Sequence, residues 1–397
     1  MINRDHTAVV LGLFETGLGV GRSLGRKGIS VFGFDYKKDL GFYSKYIKAQ
    51  YCPHPLNEEA KFVEFLIKFS NNFKKKPVIF ITSDNFLLSV SRNRDLLKGH
   101  FLLNIPEKNL IESINDKYKQ YLLAQKAKIN VPKTYAPKTL NEVLSLKNRL
   151  NYPVFIKARD VNSWRKNVHG SLKGFVANDK NELIERYKYI FNKGTETIVQ
   201  EVVPGKDTNH YKVCVYISQT GEFLLTFTLR KIRQDPIRFG VGSVVESIDY
   251  PLLMETGKRF FQKINYRGVG SAEFKLDEQD GRLKLIELNP RYWQQNALAE
   301  KCGMNFPLMN YLDLTGQNPA PCFEFKKGIK WVNIYMDFAS FLAYRKAGEI
   351  SLIGWLKSLK GKKIFSDYSM DDIKPGLSEL GFGKKLINIP KYFLKRI

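Results

Sequence analysis

A chain of 397 residues is too long for one simple core and implies two or three domains, and its 43% apolar and 13% aromatic content excludes wholesale disorder. Sixty-four basic against 39 acidic side chains give a net charge of +25, which favours an anionic partner: nucleotide phosphates, an acidic substrate, nucleic acid or a membrane surface. Cys52, Cys214, Cys302 and Cys322 lie far apart with no zinc-like spacing, so they read as packing residues in a reducing compartment.

The first apolar run (AVVLGLF) is too short for a signal peptide, and no stretch reaches the roughly 18 apolar residues of a membrane span. The cytoplasm is the expected location. TAVVLGLFETGLGVGRSLGRKGISVFGFD predicts strand, Gly-rich turn, helix and strand, closing at Asp35. A helix from about Glu58 to Phe69, the strand PVIFITSD and a helix opening near Asp84 follow. Together they predict a doubly wound α/β module of about 110 residues. A dinucleotide fingerprint would need glycine at 17, 19 and 22, but position 22 is arginine (GLGVGR). The displaced glycine disfavours NAD or FAD and leaves a tight turn whose helix N-terminus can hold an anionic group.

From INDKYKQYLLAQKAKINVPKTY onward the pattern changes to α+β, reaching about Thr315. A helix ends near Asn130, and YPVFIKAR is a strand with Lys157 at its end. Asp160 to Gly174 is polar and basic, suited to a lid. A helix from Lys180 to Phe191 leads to the strand TIVQEVVPG, and TFTLRKIRQ is another strand. SAEFKLDEQDGRLKLIELNP is a hairpin around a polar turn. With Gln279-Asp280-Gly281 as the loop, Glu278 faces Arg282 and Glu273 stands opposite Glu287. Phe274, Ile286 and Leu288 then fall on the core side. Two facing carboxylates repel; a hard cation such as Mg²⁺ between them resolves the conflict, whereas two solvated glutamates would leave it to water. Asn289 and Arg291 extend the same surface.

These pieces fit a nucleoside triphosphate site. Lys157 reaches a phosphate, the lid amides neutralise charge, and Glu273, Glu287 and Asn289 hold a bridging cation. Phosphoryl transfer needs mostly positioning and charge neutralisation. The chain resembles the ATP-grasp superfamily over roughly residues 1 to 315, through NDK (115 to 117), YPVFIKA (152 to 158), VQEVVPG (199 to 205) and EFK…IELNPR (273 to 291). The resemblance implies a Rossmann-like, pre-ATP-grasp α/β domain (1–113). An ATP-grasp domain of two α+β subdomains (114–315, hinge near 200–205) and a basic aromatic C-terminal extension (316–397) follow. It further implies that Lys117 and Lys157 contact ATP phosphates and that Glu201, Val202 and Val203 form the hinge against adenine. Glu273, Glu287 and Asn289 would ligate Mg²⁺ or Mn²⁺, and Arg291 would hold the transferred phosphate or acyl intermediate. His210 is a candidate for ribose and His169 for phosphate, against a structural role for each. Lys117 as a plain helix-face lysine and Glu201 as a surface residue remain the bland alternatives.

Members of that superfamily couple a carboxylate to an amine through an acyl phosphate, and no nucleophilic Ser or Cys is needed. Lys231 and Arg233 alternate on one strand face, placed to bind a carboxylate or the acyl phosphate unless that face is simply solvated; the Gly242-Ser243 turn can add backbone amides. The chain looks most like carboxylate–amine ligases, with an architectural likeness to the D-aspartate ligases of cell-wall synthesis. Carboxylation through carboxyphosphate and non-catalytic nucleotide binding are the alternatives. The tail from Lys326 carries fifteen Lys/Arg and six Asp/Glu, interleaved with Phe341, Tyr344, Trp355, Phe365 and Tyr392. That pattern predicts peripheral association with an anionic membrane face bearing a lipid-linked or polymeric acceptor, with nucleic acid ranked lower for want of a motif. The alternative is that Trp331, Phe338, Trp355 and Leu356 pack the tail against the body.

Overall fold

The computed structural model describes residues 2–159, 164, 168, 174–378 and 380. His169 and Tyr392 lie outside these, as does nearly all of the expected lid.

Strands β1 (Ala8–Leu11), β2 (Val31–Asp35), β3 (Lys48–Tyr51) and β4 (Val78–Ile81) form a parallel sheet in the order β3-β2-β1-β4. Every residue of β1 and β4 is buried, as expected where helices cover both faces of a parallel sheet. The following helix already starts at Glu15, so Gly17, Gly19 and Gly21 lie inside it and not in the predicted turn. The turn uses Gly12 alone, at φ +92°. The helical glycines serve close packing: a Cβ at Gly17 would lie 2.0 Å from the Gly12 carbonyl oxygen, and one at Gly21 would lie 2.4 Å from Ile47 Cδ1.

No dinucleotide cradle results. Asp35 accepts the Leu13 N–H at 2.7 Å and so holds the turn. Arg22 is buried against Asp372, with Nε at 2.9 Å from Oδ2, and also donates to the Asp367 and Asp372 carbonyls. The helix N-terminus expected to hold an external anion instead carries the carboxylate of Glu15, bonded by Asn333 at 2.6 Å.

A second, antiparallel sheet has the order β5-β8-β6-β7, from β5 (Thr134–Tyr135), β6 (Val154–Ala158), β7 (Gly174–Ala177) and β8 (Thr197–Glu201). Helices Leu140–Leu146 and Lys180–Phe191 cover one face through Val143, Leu183, Tyr187 and Ile190. Val154, Ile156 and Ala158 of β6 are buried, while Phe155 and Lys157 alternate onto the other, partly open face.

The third sheet runs β13-β12-β9-β10-β11-β14-β15. Its strands are β9 (His210–Ile217), β10 (Phe223–Asp235), β11 (Val241–Ser247), β12 (Gly268–Leu276), β13 (Leu283–Asn289), β14 (Lys330–Val332) and β15 (Lys363–Phe365). The segment beyond 315 is therefore woven into this sheet. β14 pairs antiparallel with β11, placing Trp331 opposite Val245, and β15 adds in parallel. Trp331 is only 1% exposed, Phe341 and Tyr344 are buried, and Trp355 stacks on Phe341 with centroids 4.5 Å apart. Three of the aromatics expected at a membrane headgroup level, Phe341, Tyr344 and Trp355, are thus committed to packing. Leu356, expected to pack, is 54% exposed. Among the described residues no helix is long and apolar enough to cross a membrane.

Candidate active site

The second and third sheets face each other across a cleft of about 1710 Å³. The β12/β13 hairpin supplies one wall. Glu273 does stand opposite Glu287, but by another route than simple counting. The turn is wider, closed by Asp277 N–H donating to the Arg282 carbonyl at 3.0 Å, and Leu276 pairs with Leu283. A one-residue bulge between the Phe274–Leu285 and Glu273–Glu287 pairs then restores the glutamate register. Its extra residue, Ile286, lines the cleft, while Phe274, Leu285 and Leu288 enter the core. The expectation that Ile286 packs inward fails because a bulge breaks the two-residue alternation.

Helix Lys117–Lys126 holds this strand end in place. Gln120 accepts the Leu288 N–H at 3.0 Å and donates to the Leu288 carbonyl at 3.1 Å. Tyr121 donates its hydroxyl to the bulged Ile286 carbonyl at 2.5 Å. Asp116 caps the helix through the Tyr118 and Lys119 amides, which aims Lys117 at the hairpin.

The carboxylates draw in cations. Lys117 Nζ lies 2.5 Å from Glu287 Oε1, and Asn289 Nδ2 lies 3.4 Å from Glu287 Oε2. Lys231 Nζ is ion-paired with Glu273, with Lys212 Nζ at 3.7 Å and His210 Nδ1 at 3.4 Å from the same carboxylate. Burial alone would raise the Glu273 pKa; Lys231, His210 and Lys212 overcome it and hold the group well below the usual carboxylate range. Lys117 moves the other way: burial would lower its pKa, but Glu287 keeps it raised. The His210 pKa is pushed down by burial and by Lys231, and its ring keeps a long contact to Glu273, Nδ1–Oε1 3.4 Å.

Lys157 differs in kind. Its Nζ donates to two neutral acceptors, Tyr121 Oη at 2.8 Å and Gln200 Oε1 at 3.1 Å. Burial, and then repulsion from Lys117, lowers its pKa to about 7. The ammonium is set in the cleft wall and, among the described residues, has no anion in hydrogen-bond contact.

Arg291, at the end of the hairpin, is gripped by Asp84 from the N-terminal unit, Nε–Oδ1 2.7 Å and Nη2–Oδ2 3.0 Å. At the proposed hinge, the Val202 N–H donates to the Pro153 carbonyl at 3.2 Å, and the Val203 carbonyl accepts Lys275 Nζ at 2.7 Å. Glu201 turns outward to the Asn151 N–H at 2.9 Å and to Lys133 at 3.7 Å.

Arg233 does not share the position of Lys231. The register shifts on both sides of it, and it is buried against Asp337 of the C-terminal segment, Nε–Oδ1 2.6 Å and Nη2–Oδ2 3.1 Å. Among the described residues no three of His, Cys, Asp and Glu group as a metal site; two carboxylates and an amide are the oxygen donors here. Tyr121, Gln200, Lys212, Lys275 and Asp84 belong to the site without having been site candidates, although Gln200 and Lys275 stand inside VQEVVPG and EFK. Asp84 ends β4's PVIFITSD, where strand ends of an open parallel sheet meet ligands, and that was a legible signal. The other four required the packing of two sheets.

The family model for the ATP binding domain of the carbamoyl-phosphate synthase L chain matches residues 116–310. D-aspartate ligase of Enterococcus faecium is 24% identical over 275 residues, covering 66% of this chain and 65% of that protein. The large chain of carbamoyl phosphate synthase from Neisseria meningitidis is 22% identical over 237 residues, 57% of this chain and 21% of its own. The chain thus spans just under two thirds of the first relative and about a fifth of the second. Among solved structures, N5-carboxyaminoimidazole synthetase from Staphylococcus aureus superposes with a TM-score of 0.63 at 16% identity, over 82% of this chain and 81% of that one. The match at residues 116–310 spans strands β5 to β13, which build the cleft, and the chain is similar there to ATP-grasp enzymes.

Proposed function

We propose that the protein is an ADP-forming ligase that activates a carboxylate as an acyl phosphate and joins it to an amine. The observation that carries this is the facing pair Glu273 and Glu287 beneath a cluster of lysines, one of which, Lys157, has only neutral hydrogen-bond partners among the described residues. The site fits Mg·ATP by its donor chemistry: hard oxygens for the metal, surplus cations for phosphates, and beside them the buried His210 Nε2, which has no hydrogen-bond partner among the described residues. Glu273, Glu287 and Asn289 are the proposed metal ligands, and Mg²⁺ there supplies neutralisation of charge between phosphate oxygens.

In this reading Lys117 and Lys157 bind phosphates, and displacement of Lys117 from Glu287 frees that carboxylate. Lys231, released from Glu273, and Arg291 hold the carboxylate substrate in line with the terminal phosphate. Attack of the substrate oxygen on that phosphorus forms the acyl phosphate and releases ADP. The amine then attacks the acyl carbon, phosphate leaves, and an amine proton passes to solvent. Val202 and Val203 offer backbone groups to the base. The N-terminal parallel sheet acts as the Rossmann-like partner domain and contributes Asp84 to orient Arg291. Because the D-aspartate ligase relative is named for an amino acid, amino acids are the first carboxylates to test.

Incubation with ¹⁸O-labelled acid and an amine tests the chemistry: label appears in released phosphate. ADP release without label transfer refutes the acyl phosphate. A Glu287→Ala variant should fold yet lose turnover. A second reading, carboxylation through carboxyphosphate, is favoured by the likeness to N5-carboxyaminoimidazole synthetase. It requires ADP release to depend on bicarbonate in the absence of any other acid.

A further inference from the structure

We propose that the outer face of helix Leu352–Ser358 docks on an anionic lipid surface through a small apolar patch set beside lysines. The helix is oriented by its one large inward side chain. Trp355 stacks on Phe341 and donates Nε1–H to Asp337 at 2.8 Å, so the opposite side must face out. The flank running from Leu352 through Leu356 to Ile353, the last roughly opposite Trp355, is open: these side chains are 48%, 54% and 65% exposed. Nowhere else among the described residues do three exposed large hydrophobic side chains fall within five positions.

The charge around them selects the occupant. Between Asp337 and Asp367 the sequence has six cations, Arg345, Lys346, Lys357, Lys360, Lys362 and Lys363, and a single acid, Glu349. Glu349 is answered by Arg238 at 3.2 Å. Lys357, Lys360, Lys362 and Lys363 are all exposed and follow the apolar residues directly. Shallow apolar insertion combined with basic side chains is the two-signal arrangement that holds a peripheral protein on an anionic leaflet. Each such cation strengthens binding by about fivefold at moderate salt. Phe341 and Tyr344, inferred from sequence, are buried and cannot anchor, and Trp355 is stacked on Phe341; the exposed aliphatic side chains of this helix are the anchor.

The position of the patch matters. Ile350 and Ser358, at either end of this helix, line the cleft, so docking would bring the cleft wall to the headgroups. That the acceptor amine or acid is carried by a lipid rests on the ligase reading; the docking itself does not.

Co-sedimentation of the full chain with phosphatidylcholine vesicles, and with vesicles also containing phosphatidylglycerol, tests it. Binding is expected only to the anionic vesicles, and should fall steeply as salt rises. It should weaken at least tenfold both in Ile353→Asp/Leu356→Asp and in Lys360→Glu/Lys362→Glu/Lys363→Glu. Equal binding to both vesicles, binding to neither, or variants that bind like the native chain overturn the proposal. Nucleotide binding measured on the same samples reports on the ligase reading separately, so either can fail without the other.

Discussion

Lys157 offers a direct test of how the cleft accepts a nucleotide. In the free protein its pKa is lowered to about 7, first by burial and then by Lys117. A phosphate beside it replaces neutral partners with an anion, so the pKa must rise on binding. The sign follows: the complex holds a proton that the free protein has lost above pH 7, so binding takes up a proton and weakens as pH rises. With a free value of 7, about 0.9 of a proton is taken up at pH 8 and about 0.1 at pH 6, and affinity falls about tenfold, or about 1.4 kcal/mol, per unit above 7. Calorimetry of a non-hydrolysable ATP analogue in buffers of differing ionisation enthalpy measures this uptake. Lys157→Met serves as the reference, cancelling the ionisation of the nucleotide itself. Identical uptake by native protein and Lys157→Met at pH 8 would refute the assignment. Tyr121→Phe removes the hydroxyl acceptor at 2.8 Å and should shift the transition to lower pH.

Asp84→Asn should lower kcat at least tenfold while leaving the nucleotide Kd within about threefold, because one charge-assisted grip on Arg291, worth about 1.5–3 kcal/mol, is lost; steady-state kinetics with calorimetry separates the two. Asp337→Ala strands a buried guanidinium at Arg233, and urea denaturation should show a loss of about 3–5 kcal/mol. Trp331→Ala should cost a similar 3–5 kcal/mol by emptying a site between β11 and the body, read as a lower urea midpoint at unchanged slope.

The fold was legible where periodicity and punctuation agreed. The apolar runs at Ala8–Leu11 and Val78–Ile81 announced buried parallel strands, and YPVFIKAR announced the strand Val154–Ala158 that carries Lys157. The glutamate pairing was legible only by compensation. The predicted turn was short by one residue and the bulge at Ile286 added the offset back, and nothing in LKLIELN marks a bulge. Gly17, Gly19 and Gly21 misled because glycine signals both turns and close packing, and only the neighbours Gly12 and Ile47 distinguish them. Arg233 misled because its partner, Asp337, lies 104 positions away. The pairings Arg291–Asp84 and Lys275–Val203 were invisible for the same reason: long-range contacts leave no local pattern.

The C-terminal segment also closes the molecule on itself. After β15 it returns to the first helix, where Asp372 takes Arg22 and accepts from Ser44 Oγ at 2.6 Å, and Asp371 takes Arg26 at 2.8 Å and the Tyr46 hydroxyl at 2.9 Å. The two ends of the described chain therefore melt together or not at all. A multi-sheet protein of this size would ordinarily shed its units one by one. Here native-state hydrogen exchange should find the amides of β1 and β14 opening in a single cooperative step, and Asp372→Ala should split that step in two.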